Sequence, residues 1–238
     1  MKDTRRGDGV HQPGDLSQQA HRRLIGALGL LLPVLLYVIA GLRPTTGLPR
    51  WTFLPSVSAY YYTGAVAVFI GIIFALSLFL LTYRGYEGVI ADRVVGFFGG
   101  VGALGVAFFP TGAPNALPNP DWWTPASRVI HYASATVLFT SFILFSIWLF
   151  RKSSIPERSR RPLDKQRRDT VSLVCGIVMI AAVLWTASSI LTHAAIFVPE
   201  AIAIIAFAVS WLVKGEAYQP VVAAVRRVRS PTAGRLHA

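Results

Sequence analysis

The 238-residue chain has one cysteine, Cys175, and it lies inside an apolar run. No intramolecular disulfide can form, and a cysteine-based metal site has no second thiolate to build on. Charge is scarce too: 14% of residues are Asp, Glu, Lys or Arg, against about 25% in soluble domains. Long polar stretches between the apolar runs are also missing, which leaves no room for a separate soluble domain. What the chain has instead is hydrophobicity, at 53% of residues with a mean hydropathy of +0.52. That balance belongs to a membrane protein.

A hydrocarbon core of about 30 Å takes roughly 20 apolar helical residues to cross. Six runs meet or approach that length: 24–42, 64–83, 94–110, 129–150, 171–192 and 197–213. Backbone groups in lipid must be satisfied within the segment, so each run is expected to be a helix. The expected fold is an all-α polytopic bundle of six transmembrane helices occupying residues 21–217. Residues 1–20 read as a disordered tail and 218–238 as a basic one, within which 230–238 are also disordered and VVAAVRRVR forms a solvated stretch rather than a surface helix. The first apolar run is long for a signal-peptide core and reads as a retained helix.

The net charge of +12 suggests nucleic acid until the charges are located. Of the 23 Lys and Arg, 20 fall in the N-terminal tail, the 84–93 loop, the 151–170 linker and the tail from Lys214; only Arg43, Arg50 and Arg128 lie between. Basic residues near spans stay cytoplasmic. The expected topology puts both termini inside, in a cell (inner or plasma) membrane. The charge is then topology, with no nucleic-acid partner, and anionic headgroups on the cytoplasmic face are its natural counterpart. Membrane lipids are the other expected partner, and small-residue faces leave a homo-oligomer open.

Association in lipid favours small residues at helix contacts. The second span offers Ala67, Gly71 and Ala75 on one face, and the third offers Gly96 and Gly100 with Gly99 and Ala103 beside them. A tight antiparallel hairpin of these spans is expected. At the basic end, Arg84 with Glu216 and Lys214 with Glu87 are candidate pairs.

The same topology gathers the unusual polar residues on the outer side. SVSAYYYTG, Ser56 to Gly64, precedes the second span. Its three tyrosines, with Trp51, Trp122 and Trp123, fit an interfacial aromatic belt. Ahead of the fourth span, Thr124 is a natural N-cap and Pro125 suits the first helical position. His131 then falls about two turns inside, on the face shared by Ser127, Arg128 and Ser134. His193 ends the fifth span, and Glu200 opens the sixth at the positive end of its dipole. Ionisable groups at membrane depth point to function. Ser58, Tyr61, Arg128, His131 and Glu200 form the candidate ligand-binding set.

The run GALGVAFFPTG, followed by SRVIHYASA, resembles the DUF998 group of prokaryotic membrane proteins, whose layout is similar to the six-helix proteins of the damage-regulated autophagy modulator type. The likeness rests on Phe109, Pro110, Thr111, His131 and the serines at 56 and 58. It implies a six-helix fold and no particular activity. A more distant likeness to the CREST group of metal-dependent lipid hydrolases lacks that group's closely spaced histidine pair.

Taken together, the residues point to a non-enzymatic protein that binds a lipid or amphiphile in an outward-facing polar pocket, for sensing, transport or organisation. No cofactor is called for. The alternative is an intramembrane hydrolase or transferase at the outer leaflet. Ser58 would be its nucleophile, His131 its base and Asp121 or Glu200 the group orienting the base. A metal version would use His131, His193 and Glu200. Haem held between His131 and His193 is the weakest alternative.

Overall fold

The computed structural model describes residues 13–85, 90–114, 117–153, 158–160 and 162–216. Glu87, the VVAAVRRVR stretch and the tail beyond residue 216 lie outside them. Six α-helices account for most of the described chain: α1 (Pro13–Leu42), α2 (Val66–Leu81), α3 (Ile90–Phe108), α4 (Pro125–Ile147), α5 (Leu163–Leu191) and α6 (Phe197–Lys214). All but α2 are long and apolar enough to cross a membrane, as in a multi-pass membrane protein. No strand occurs among the described residues.

The differences from the hydropathy pattern have local causes. Helix α1 extends back to Pro13, and α5 begins at Leu163, inside the polar linker. At 1.5 Å per residue their 30 and 29 residues are each roughly 45 Å long, well over a hydrocarbon thickness. Hydropathy marks where lipid is, whereas these helices continue past it as polar turns. Helix α2 is short, with 16 residues, because the tyrosine-rich stretch before it forms a separate 3-10 turn, Ser58–Tyr62.

The helices pack in chain order as a ring, each against the next, and α6 closes onto α1. Helix α3 makes its contacts with glycine on two sides. A Cβ on Gly96 would sit 2.8 Å from the Leu80 carbonyl oxygen, and one on Gly100 would sit 2.5 Å from Leu81 Cγ, both in α2. On the other side, a Cβ on Gly102 would stand 2.8 Å from the Ser134 oxygen of α4. Ser77 of α2 donates to the Gly100 carbonyl at 2.8 Å, an interhelical bond possible only at this spacing. The expected partner face on α2 is a correction. Ala67 and Gly71 are exposed, and a Cβ on Gly71 would have nothing within 4 Å. Small side chains there leave the α2 surface smooth but do not join it to α3.

The half of the ring nearer the basic loops is solid. Tyr83, Phe145, Phe150 and Trp211 interlock with ring centroids 5.0–5.6 Å apart. Phe142 of α4 and Phe207 of α6 stack across the middle. Below them the basic residues bind the helix ends together. Arg23 Nε donates to the Gly215 carbonyl at 2.8 Å, and Lys165 and Lys214 both donate to the Phe150 carbonyl, at 3.0 and 3.1 Å. Glu216 pairs with Arg168, so the expected Arg84–Glu216 pair does not form. Arg22 and Asp92 are buried rather than extended to the surface.

Candidate functional site

The opposite half of the ring is hollow. A cavity of about 620 Å³ opens between α1, α2, α4 and α6, within the size range of small-molecule sites. Its walls change character with depth. Ser56, Ser58, Thr111, Arg128, His131, His193 and Glu200 line it at the ends of their helices, while Leu76, Leu138, Phe142, Ile204 and Phe207 line it further in. From Arg128 to Phe142 along α4 is about 21 Å of helix.

Three elements bring Ser58 into this cavity. Pro55 cannot continue a helix, and its carbonyl accepts bonds from the amides of Ile196 and Phe197 at 2.6 and 3.0 Å, meeting donors that the start of α6 would otherwise leave unpaired. The Val57 amide in turn donates to Glu200 Oε2 at 2.7 Å. The Ser56 hydroxyl accepts from the Ala59 amide at 3.0 Å, starting the 3-10 turn. Residues 55–57 are thereby clamped to α6, and Ser58 faces α4 across the ring.

There its Oγ lies 2.8 Å from His131 Nε2, with both residues buried. The other ring nitrogen, Nδ1, is 2.7 Å from the carbonyl oxygen of Phe109. A carbonyl only accepts, so Nδ1 carries the hydrogen. In the neutral ring Nε2 then holds a lone pair, and the Ser58 hydroxyl donates to it. Hydroxyl, imidazole and main-chain oxygen form one chain of bonds.

The Phe109–Thr111 segment exists in this form because Pro110 ends α3 and has no amide to offer. Its three consecutive carbonyls each receive a side chain. Phe109 accepts from His131, Pro110 from Trp123 Nε1 at 3.2 Å, and Thr111 from the Tyr62 hydroxyl. The segment joins the 3-10 turn, the loop ahead of α4 and α4 itself.

Several expectations change here. Asp121 is exposed in the loop before α4 and does not line the cavity; the Phe109 oxygen occupies the position proposed for an orienting carboxylate. Glu200 is engaged by the Val57 amide and does not orient the His131 ring. Among the described residues no three His, Cys, Asp or Glu are grouped to hold a metal, so His131, His193 and Glu200 do not form a ligand set. Haem between His131 and His193 fails for a related reason: both His131 nitrogens are already bonded. His193 has a positive φ of 55° where α5 stops, and the following Ala194 amide reaches back to the Ser189 carbonyl at 2.8 Å. That is a left-handed helix terminus, a position usually held by glycine.

The three tyrosines have three different environments. Tyr60 is fully buried against Phe197. Tyr61 lies among Tyr62, Phe69 and Trp122 and does not line the cavity. Tyr62 is bonded to Thr111, and burial, followed by the neighbouring Tyr61, pushes its phenol up to about 12. Tyr60 is therefore a core residue rather than part of an interfacial belt. Arg128 lines the cavity with its guanidinium 6.0 Å above the Trp123 ring. No family model matches the chain, and neither a curated protein nor a solved structure matches it.

The site members missed by sequence reasoning are mostly main-chain atoms: the carbonyls of Pro55, Phe109 and Thr111. Only Pro110, an apolar helix stopped by proline, gave a signal that such oxygens would be left over.

Proposed function

We propose that this is a six-span membrane protein with both termini in the cytoplasm, which holds a lipid or similar amphiphile in the outward-facing half of its ring. The observation that carries the reading is the graded cavity, polar at the helix ends and apolar toward Phe142 and Phe207. An amphiphile satisfies both parts at once: its headgroup meets Arg128 and the hydroxyls, and its chain covers the aliphatic and aromatic wall. Helix α2, shorter than the other five, makes the sixth crossing. The separation of 20 basic residues from three supports the orientation.

Native mass spectrometry of protein released gently from its own membrane tests the reading, with Ala135→Trp alongside. Ala135 lines the cavity between Arg128 and Leu138, so an indole there obstructs the passage from the polar rim to the apolar wall. The parent should retain a lipid-sized mass that Ala135→Trp loses. A bare parent, or the same adduct in both proteins, would refute a ligand in this cavity.

A further inference from the structure

The hydrogen-bond chain goes beyond what holding a ligand requires. A buried strut between the 3-10 turn and α4 would also bond both ring nitrogens, but it would have no reason to turn one of those bonds toward the cavity. Here the imidazole is fixed at Nδ1 by a main-chain acceptor, which leaves its basic nitrogen facing a serine hydroxyl that lines the cavity. This is the arrangement that activates a serine: a base within bonding distance, and a third group that sets the base's tautomer. In this site the third group is uncharged. The same hydroxyl that meets the imidazole also lines the cavity, where a bound molecule can reach it.

We propose that Ser58 is a nucleophile activated by His131, and that the amphiphile held in the cavity is an acyl ester whose acyl group is transferred to Ser58. The proposal rests on the binding reading above. Ser58 Oγ attacks the ester carbonyl carbon; the Oγ–C bond forms as the hydroxyl proton passes to His131 Nε2. The tetrahedral intermediate collapses with cleavage of the ester C–O bond, and the departing alkoxide takes the proton from Nε2. The resulting Ser58 ester is resolved by water or by a second alcohol. That molecule gives its proton to Nε2, bonds to the acyl carbon and releases Ser58, which recovers the proton. Electrons and protons balance with no redox partner. The Phe109 carbonyl supplies no charge; it keeps the hydrogen on Nδ1 throughout, so that Nε2 alone takes and gives up the moving proton. Among the described residues Arg128 is the only Lys or Arg on the cavity wall, and it is placed to hold the polar end of the ester.

An alkyl fluorophosphonate tests the chemistry directly. Serine displaces fluoride from phosphorus, the Oγ–P bond forms, and HF leaves. Parent protein in its native membrane is treated with the probe, digested, and mapped by mass. The phosphonate should be on Ser58, absent from Ser58→Ala, and formed at least about 100-fold more slowly in His131→Ala, the usual scale of a lost general base. An excess of an unreactive single-chain amphiphile should block it in the parent, a result that needs no variant to fold. Labelling at Ser56 or a tyrosine instead would overturn the assignment, as would an equal rate in His131→Ala. No label on a parent that still retains its lipid by native mass spectrometry would overturn the chemistry and leave binding standing. No label and no lipid would remove both.

Discussion

The Ser58–His131 bond crosses the ring between two segments 73 residues apart, and its energy can be isolated with a double-mutant cycle. Ser58→Ala removes one donor. His131→Ala removes two bonds, leaves the Phe109 carbonyl without its side-chain donor and empties the space of a buried ring. The single variants should therefore differ, with His131→Ala the worse. Their shared part is the one bond at 2.8 Å. Interhelical bonds in membrane proteins average about 0.6 kcal/mol and reach about 1.7. Both partners are buried at 7% and 3% exposure, so a value above that average is expected. We predict a coupling of about 1 kcal/mol. Unfolding by sodium dodecyl sulfate titration, followed by circular dichroism, supplies the four free energies. The control is Ser56→Ala combined with His131→Ala: the Ser56 hydroxyl bonds its own turn at Ala59, so those two should add. Independent sites add to within about 0.3–0.5 kcal/mol. A Ser58–His131 coupling inside that margin would refute the bond.

Two glycine substitutions should separate sharply. Gly102→Ala places a methyl against the α4 backbone and is expected to cost about 1–3 kcal/mol, whereas Gly71→Ala, with nothing within 4 Å, should stay within about 0.5; equal effects by the same titration would mean that α3 and α4 are not in glycine contact. Tyr62 should make stability fall in alkali. Its phenol is held up to about 12, above the ordinary 10.0, so the unfolded chain releases that proton first and stability drops as pH rises from about 10 toward 12. Thermal unfolding of Tyr62→Phe across this range should decline less steeply than the parent, and identical slopes would contradict a buried, bonded phenol.

Helices were the most legible part of the sequence, because apolar runs record contact with lipid. Their ends were less so: Leu163 to Asp169 is polar in sequence yet helical, its turns held by side chains such as Lys165, which pairs with Asp169 at 2.5 Å. The face of α2 misled for a physical reason. Ala67 and Gly71 signal close approach only if another helix is there, and composition does not say which side a neighbour occupies. Tyr60 misled similarly, since an aromatic near an interface and an aromatic in a core have the same letters around them. Ser58 and His131 drew attention as polar groups in apolar surroundings, but the oxygen completing their chain belongs to the backbone of a phenylalanine. Nothing in side-chain chemistry announces it.

That last feature has a genetic consequence. A catalytic carboxylate can be deleted by one codon change, but the Phe109 oxygen is present whatever residue 109 becomes. Substitutions at Phe109 should be tolerated at this site as far as side-chain packing allows. What can break the arm is a change of chain length between Phe109 and Thr111, or loss of Pro110, which would restore an amide and let α3 wind on. A mutational scan of this stretch should read as sensitive to the letter only at Pro110 and intolerant of insertions and deletions, the reverse of the usual profile for a loop.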